Sequence, residues 1–137
     1  MNFILEENRL TPEDYTALRP EIPLHTASRA IAGSTMTLRA SAEGDITGML
    51  RILSDGAMFC YIQDVFVKER YRGQGLGRAL LEHALCWIDD ALRPGEYMVV
   101  TLLAEPEMES FYEHLGFVRA PNALCGHAMQ CVLQKDS

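Results

Sequence analysis

Residues 61–78 constrain the fold more than any other stretch of this chain. Tyr61-Ile62-Gln63-Asp64-Val65-Phe66-Val67 has the length and the β-branched and aromatic content of a buried strand. It runs directly into Lys68-Glu69-Arg70-Tyr71-Arg72-Gly73-Gln74-Gly75-Leu76-Gly77-Arg78, a basic turn rich in glycine. Beyond it, apolar residues at Leu76, Leu80, Ala84, Trp87, Ile88 and Ala91 recur with helical spacing, and Pro94-Gly95 ends the run. Residues 97–104 are apolar enough for a strand buried on both faces, which a helical crossover sets parallel to the first. Such a unit requires a sheet with helices packed against it.

The flanking sequence supplies the rest of a mixed α/β chain. Residues 2–7 read as a first strand. Thr11-Pro12-Glu13-Asp14 places a capping hydroxyl, a proline at the first helical position and early acids in order, predicting a helix that stops near Pro20. Residues 23–32 predict a second short helix, with Gly33 as a left-handed terminator. Residues 35–40, 46–53 and 57–67, separated by Glu43-Gly44-Asp45 and Asp55-Gly56, predict an antiparallel meander of three strands. Residues 107–115 predict a helix closed by Gly116, and residues 117–119 with 127–133 the last strands. At 137 residues, one domain over 1–137 is expected.

Composition excludes several function classes. Apolar residues at 48% and charged residues at 23% suit a globular core. The longest apolar runs, such as residues 57–62, fall far short of the roughly 18 residues a membrane helix needs, so no membrane partner is expected. The opening Met1-Asn2-Phe3-Ile4-Leu5-Glu6-Glu7 lacks the basic start and longer apolar region of a secretory signal, and a cytoplasmic location is expected. Cys60, Cys86, Cys125 and Cys131 form no Cys-x-x-Cys pair and read as reduced thiols. His25, His83, His114 and His127 show no ligand spacing, so no metal is expected. A net charge of −7 argues against nucleic acid, whose binding is built on neutralised phosphates. Residues 68–78 nevertheless hold four basic residues against the single acid Glu69, +3 net, which leaves −10 for the remainder. A basic island in an acidic chain suits one small anion, with acid elsewhere to attract a cation.

The turn carries the chemistry. Glycines admit a ligand to the backbone without Cβ interference, and the free N–H groups and positive dipole end of a helix start suit a phosphate. A helix N-terminus alone contributes about 0.3–1 kcal/mol, so several N–H donors and arginines must act together. The dinucleotide fingerprint Gly-x-Gly-x-x-Gly fails, because Arg78 stands where its third glycine belongs. A Walker loop fails for want of Gly-Lys-Ser/Thr. On the turn alone, an ordinary strand-to-helix connection remains open.

Arg72-x-x-Gly75-x-Gly77 does fit the Arg/Gln-x-x-Gly-x-Gly/Ala signature of the GCN5-related N-acetyltransferases. Downstream, Glu109-Ser110-Phe111-Tyr112-Glu113-His114-Leu115-Gly116-Phe117 resembles that family's second hallmark, Phe-Tyr-x-x-Leu-Gly-Phe on a helix. The resemblance covers roughly residues 46–117. It implies the α/β fold of that family (GNAT): a mixed sheet of about seven strands whose central parallel strands splay apart, with about four helices. It also implies acetyl-CoA as co-substrate, its pyrophosphate over Arg72, Gly73, Gln74, Gly75, Leu76, Gly77 and Arg78, its pantetheine along Val65, Phe66 and Val67, and Phe111 nearby. Direct acetyl transfer to a primary amine follows.

The resemblance places Tyr112 as the general acid that protonates the departing thiolate. A phenol with a pKa near ~10 holds its proton at neutral pH; the plain alternative is an aromatic packed between Phe111 and Leu115. Asp64 stands out in an otherwise apolar strand and could either hold or relay protons from a substrate ammonium, or tie the strand to a neighbouring loop. No His or Glu stands out as base, so a water chain is expected to serve. Where many members have Asn seven residues before the tyrosine, this chain has Glu105 then Pro106; it reads as a solvated acid, with an amine contact as the alternative. Residues 121–129 are expected to shape one side of the acceptor pocket. His25 and His127, in segments matching the family's substrate walls, read as ordinary polar residues, and Arg29, Arg39 and Arg119 as solvated charges. The expected acceptor is a small cationic amine. A protein lysine or N-terminus is the alternative acceptor, and a catalytically silent acyl-CoA sensor is the rival from another class. A homodimer is expected from the family alone.

Overall fold

Thr11 starts the first helix as its sequence requires. Its hydroxyl accepts from the Asp14 N–H and the Asp14 carboxylate accepts from the Thr11 N–H, a reciprocal cap ahead of α1 (Pro12–Leu18). A computed structural model describes residues 2–135. Among them lie five strands and four α-helices: β1 (Ile4–Glu7), α1, α2 (Leu24–Ala32), β2 (Met36–Ala42), β3 (Asp45–Ser54), β4 (Phe59–Val67), α3 (Leu76–Ala91), β5 (Val99–Thr101) and α4 (Glu109–Glu113). The chain divides into two compact units, one running to Leu102 and one from Leu103 onward.

In the first unit the strands lie in the order β1-β2-β3-β4-β5, antiparallel from β1 to β4. The α3 crossover returns the chain to pair β5 parallel with β4, joining Phe59 to Val99, Cys60 to Val100 and Tyr61 to Thr101. One sheet face packs on α1 and α2 through Leu10, Tyr15, Leu18, Ala27, Ile46 and Met49, flanked by Ile22, Ile31 and Phe66. On the other, α3 buries Leu76, Leu80, Leu81, Ala84 and Ile88, close to the apolar set its spacing predicts. Burying such side chains contributes about 1.5–3 kcal/mol each. Close approach fixes Gly48, where a Cβ would stand 2.8 Å from the Phe66 carbonyl oxygen. Cys60 is fully buried in the middle of this sheet, and burial pushes its thiol up to about 11. Cys86, Cys125 and Cys131 are exposed.

Several expectations need correction. The sheet has five strands rather than about seven, because residues 117–119 and 127–133 form no strand among the described residues. Val118, Met129, Val132 and Leu133 remain exposed there, so the apolar pattern that suggested strands has no partner surface to bury it. The strand expected over 97–104 is only β5, and its exposed Val99 shows that it is an edge, not a doubly covered strand. Gly33 closes α2 at φ −84°, right-handed rather than left-handed. Arg39 is not a solvated charge: it pairs with Asp14 at 2.8 Å and with Glu6 at 3.5 Å.

Candidate functional site

In the first unit, β4 changes character along its length. Cys60 and Tyr61 pair with both β3 and β5, and Phe59 with β5, but beyond Tyr61 the β5 side has no strand partner among the described residues. Every second N–H and C=O of a strand points to such a free side. The ladder to β3 also shifts here: Arg51 pairs with Gln63 and Met49 with Phe66, so Asp64 and Val65 together face Leu50. This is a β-bulge, and Asp64 takes the left-handed conformation at φ +55° within it. Val65, Phe66 and Val67 are half-buried and carry no strand pairing on that side among the described residues.

The strand leads through a single 3₁₀ turn (Glu69–Tyr71) into the glycine-rich turn. Gly73 at φ +78° and Gly75 at φ +84° adopt a backbone that residues with a Cβ avoid, and nothing lies within 4 Å of the Cβ either would carry. Gly75 is the N-cap of the sixteen-residue α3, with no side-chain cap among the described residues. The N–H groups of Leu76, Gly77 and Arg78 therefore lack intrahelical acceptors. Arg72 is held at the mouth of the turn, its Nε donating to the Val67 carbonyl at 2.9 Å and its guanidinium over the Phe66 ring at 5.7 Å. Gln74 and Arg78 are exposed, and Arg78 pairs with Glu82. Open amides, two glycines whose absent Cβ atoms leave the backbone accessible, and flanking arginines fit a diphosphate.

Asp64 points to the opposite use from a free acid. Its Oδ1 accepts from Arg19 Nη1 at 2.7 Å, and its Oδ2 from Tyr15 Oη at 2.7 Å and Arg51 Nε at 2.8 Å. Burial raises its pKa, but the bonds from Arg51, Tyr15 and Arg19 and the charge of Arg51 outweigh this and hold it below the ordinary aspartate value. With both oxygens engaged, the tie to neighbouring elements is the alternative that the geometry supports. Tyr15, Arg19 and Arg51 were not singled out in the sequence. The only local signal was a carboxylate in an apolar strand, which requires partners without naming them.

Tyr112 and Phe111 lie in the second unit, on the short helix α4. The Tyr112 ring meets Phe111 edge-on at 5.2 Å and Phe117 at 5.9 Å, and its carbonyl accepts from the Leu115 and Phe117 N–H groups. Burial, followed by the negative charge of Glu105, raises its pKa above the usual phenol value, so it holds its proton at neutral pH. Arg119 braces the same unit through Glu113 at 2.9 Å and Glu109 at 3.7 Å. Among the described residues no group of three or more His, Cys, Asp or Glu is arranged to hold a metal, and no helix is long and apolar enough to cross a membrane.

A family profile described as "Acetyltransferase (GNAT) domain" matches residues 34–119. The chain is 30% identical over 108 residues to "Uncharacterized N-acetyltransferase ycf52" of Pyropia yezoensis, covering 76% of this chain and 60% of that protein. It is 35% identical over 102 residues to "Histone acetyltransferase TAP1" of Glycine max, covering 70% of this chain and 42% of that one. The chain thus spans 60% or less of the length of these relatives. In fold it is similar to a protein of unknown function, a probable acetyltransferase, from Staphylococcus aureus: TM-score 0.80 at 24% identity, covering 95% of this chain and 100% of that one.

Proposed function

Because the chain belongs to the GNAT family, we propose that it is an acetyl-CoA-dependent N-acetyltransferase that moves the acetyl group directly to a primary amine. The observation that carries this reading is the β4 edge that has no strand partner after Tyr61 among the described residues and leads straight into the glycine turn, where nothing lies within 4 Å of a Cβ at Gly73 or Gly75. One ligand with an extended arm and a diphosphate uses both, and coenzyme A has that form.

Acetyl-CoA supplies the activated thioester. The amides of residues 73–78, with Arg72 and Arg78, bind the diphosphate; the backbone of Val65, Phe66 and Val67 pairs with the arm; the family resemblance adds Phe111 as a cofactor contact. Tyr112 donates its phenolic proton to the leaving sulfur, a role suited by a pKa that burial and Glu105 raise. The amine must be neutral to attack, and a water chain removes its proton. Residues 121–129 form one side of the acceptor pocket.

A small cationic amine is the proposed acceptor, supported by the −10 charge outside the basic island. A protein amine is the second reading, supported by the soybean relative named as a histone acetyltransferase. A thiol-release screen of small amines, lysine peptides and free N-terminal peptides with acetyl-CoA separates them. Release with amines such as polyamines and arylalkylamines, and not with peptides, is expected. The reverse selects the second reading, and binding of acetyl-CoA without turnover of any acceptor selects the sensor.

A further inference from the structure

We propose that Asp64, held by Arg51, Arg19 and Tyr15, is a positioning residue that keeps β4 in the bulged form on which binding of the coenzyme A arm by residues 65–67 depends. This rests on the acetyltransferase reading. A residue with a Cβ resists the left-handed conformation, yet Asp64 adopts it at φ +55° in the middle of a strand. Something must hold it there. Its carboxylate, 2% exposed, is gripped by three side chains: Tyr15 from the middle of α1, Arg19 from its C-cap, and Arg51 from β3. Arg51 is itself fixed by the Ala30 carbonyl at 3.1 Å and Ser34 Oγ at 3.0 Å. The carboxylate therefore joins α1, the end of α2 and β3 to one residue of β4.

The geometry gives this anchor a consequence. Residues 64 and 65 share the single partner Leu50, and a bulge bends and twists its strand. The pairing to β5 has already ended at Tyr61. The anchor thus sits between the closed part of β4 and the open edge and sets the direction of residues 65–67. Two guanidiniums around one carboxylate leave a positive excess that Glu21, 3.3 Å from Arg19, offsets from the solvent side. With both oxygens engaged and the side chain 2% exposed, the carboxylate is not presented to a substrate ammonium, and Asp64 acts through the strand and not on the reacting atoms.

Calorimetric titration with coenzyme A and with adenosine 3′-phosphate 5′-diphosphate, which keeps the diphosphate but lacks the arm, tests this. Asp64→Asn keeps the shape and a residue tolerant of positive φ while removing the charge. Its Kd for coenzyme A should rise about tenfold, while that for adenosine 3′-phosphate 5′-diphosphate stays as in the wild type. Tyr15→Phe, which removes one hydroxyl and keeps the packing, should show the same pattern at about threefold, and decides the matter alone if Asp64→Asn does not fold. Unaltered coenzyme A binding in the folded variants, or equal weakening of both ligands, overturns the proposal alone. A wild-type protein that binds neither ligand overturns the acetyltransferase reading and this proposal with it.

Discussion

The glycine-rich turn and the helix of Tyr112 place their chemistry in different parts of the residue. In the turn, the groups offered are main-chain amides, and the side chains of Gly73 and Gly75 matter by being absent. On α4 the backbone is satisfied by its own turn, and what is offered is one phenol among aromatic rings. The turn should therefore tolerate changes that keep its backbone and fail when a Cβ is added; α4 should tolerate changes that keep ring packing and fail when one oxygen is removed. On the proposed reading, binding belongs to the first region and proton transfer to the second.

The largest expected effect follows from the second region. Tyr112→Phe should lower kcat by roughly 10²- to 10⁴-fold while leaving coenzyme A affinity almost unchanged. Steady-state kinetics beside calorimetry checks this, and a variant with nearly full rate would dissolve the contrast. Gly75→Val should do the opposite, weakening coenzyme A binding by about tenfold or more, because the side chain enters the cradle and resists φ +84°. Unchanged calorimetric affinity would show that the ligand lies elsewhere. Gly48→Ala sharpens the contrast with a glycine that serves packing rather than ligand access: its Cβ would press on the Phe66 carbonyl, costing about 1–3 kcal/mol. Its Tm should fall, and a wild-type Tm would mean that β3 and β4 can part without cost.

The smallest effect concerns pH. The Tyr112 phenol must be protonated to act, so the rate should fall as pH rises through its raised pKa. Glu105→Gln removes a negative charge that disfavours the phenolate, so the alkaline limb of the kcat profile should move to lower pH. Burial, the larger cause, remains, so only part of the elevation should be lost. A limb that does not move would detach Glu105 from the phenol.

What was legible in the sequence was local. The cap at Thr11, the apolar face of α3 and the turn at Gly73 and Gly75 each follow from residues a few positions apart, and the structure forms all three. What was not legible depends on distant partners. Asp64 meets Tyr15 and Arg19 across 49 and 45 positions, and no spacing rule brings those residues together. The bulge was equally hidden, since the apolar pattern of residues 61–67 is that of a regular strand. Residues 127–133 failed in the other direction: an apolar sequence predicts a strand, but a ladder also needs a neighbour, and pairing is absent from any one-dimensional pattern.

The seclusion of Cys60 gives the molecule an internal clock. A reagent that modifies thiolates should count three cysteines at once in the native protein and the fourth only when α3 comes off the sheet, because that sulfur is walled in beside Trp87, Ile88 and Ala91 and slow to ionise. The delay before the fourth is consumed measures how often that helix lifts from the sheet, without any denaturant.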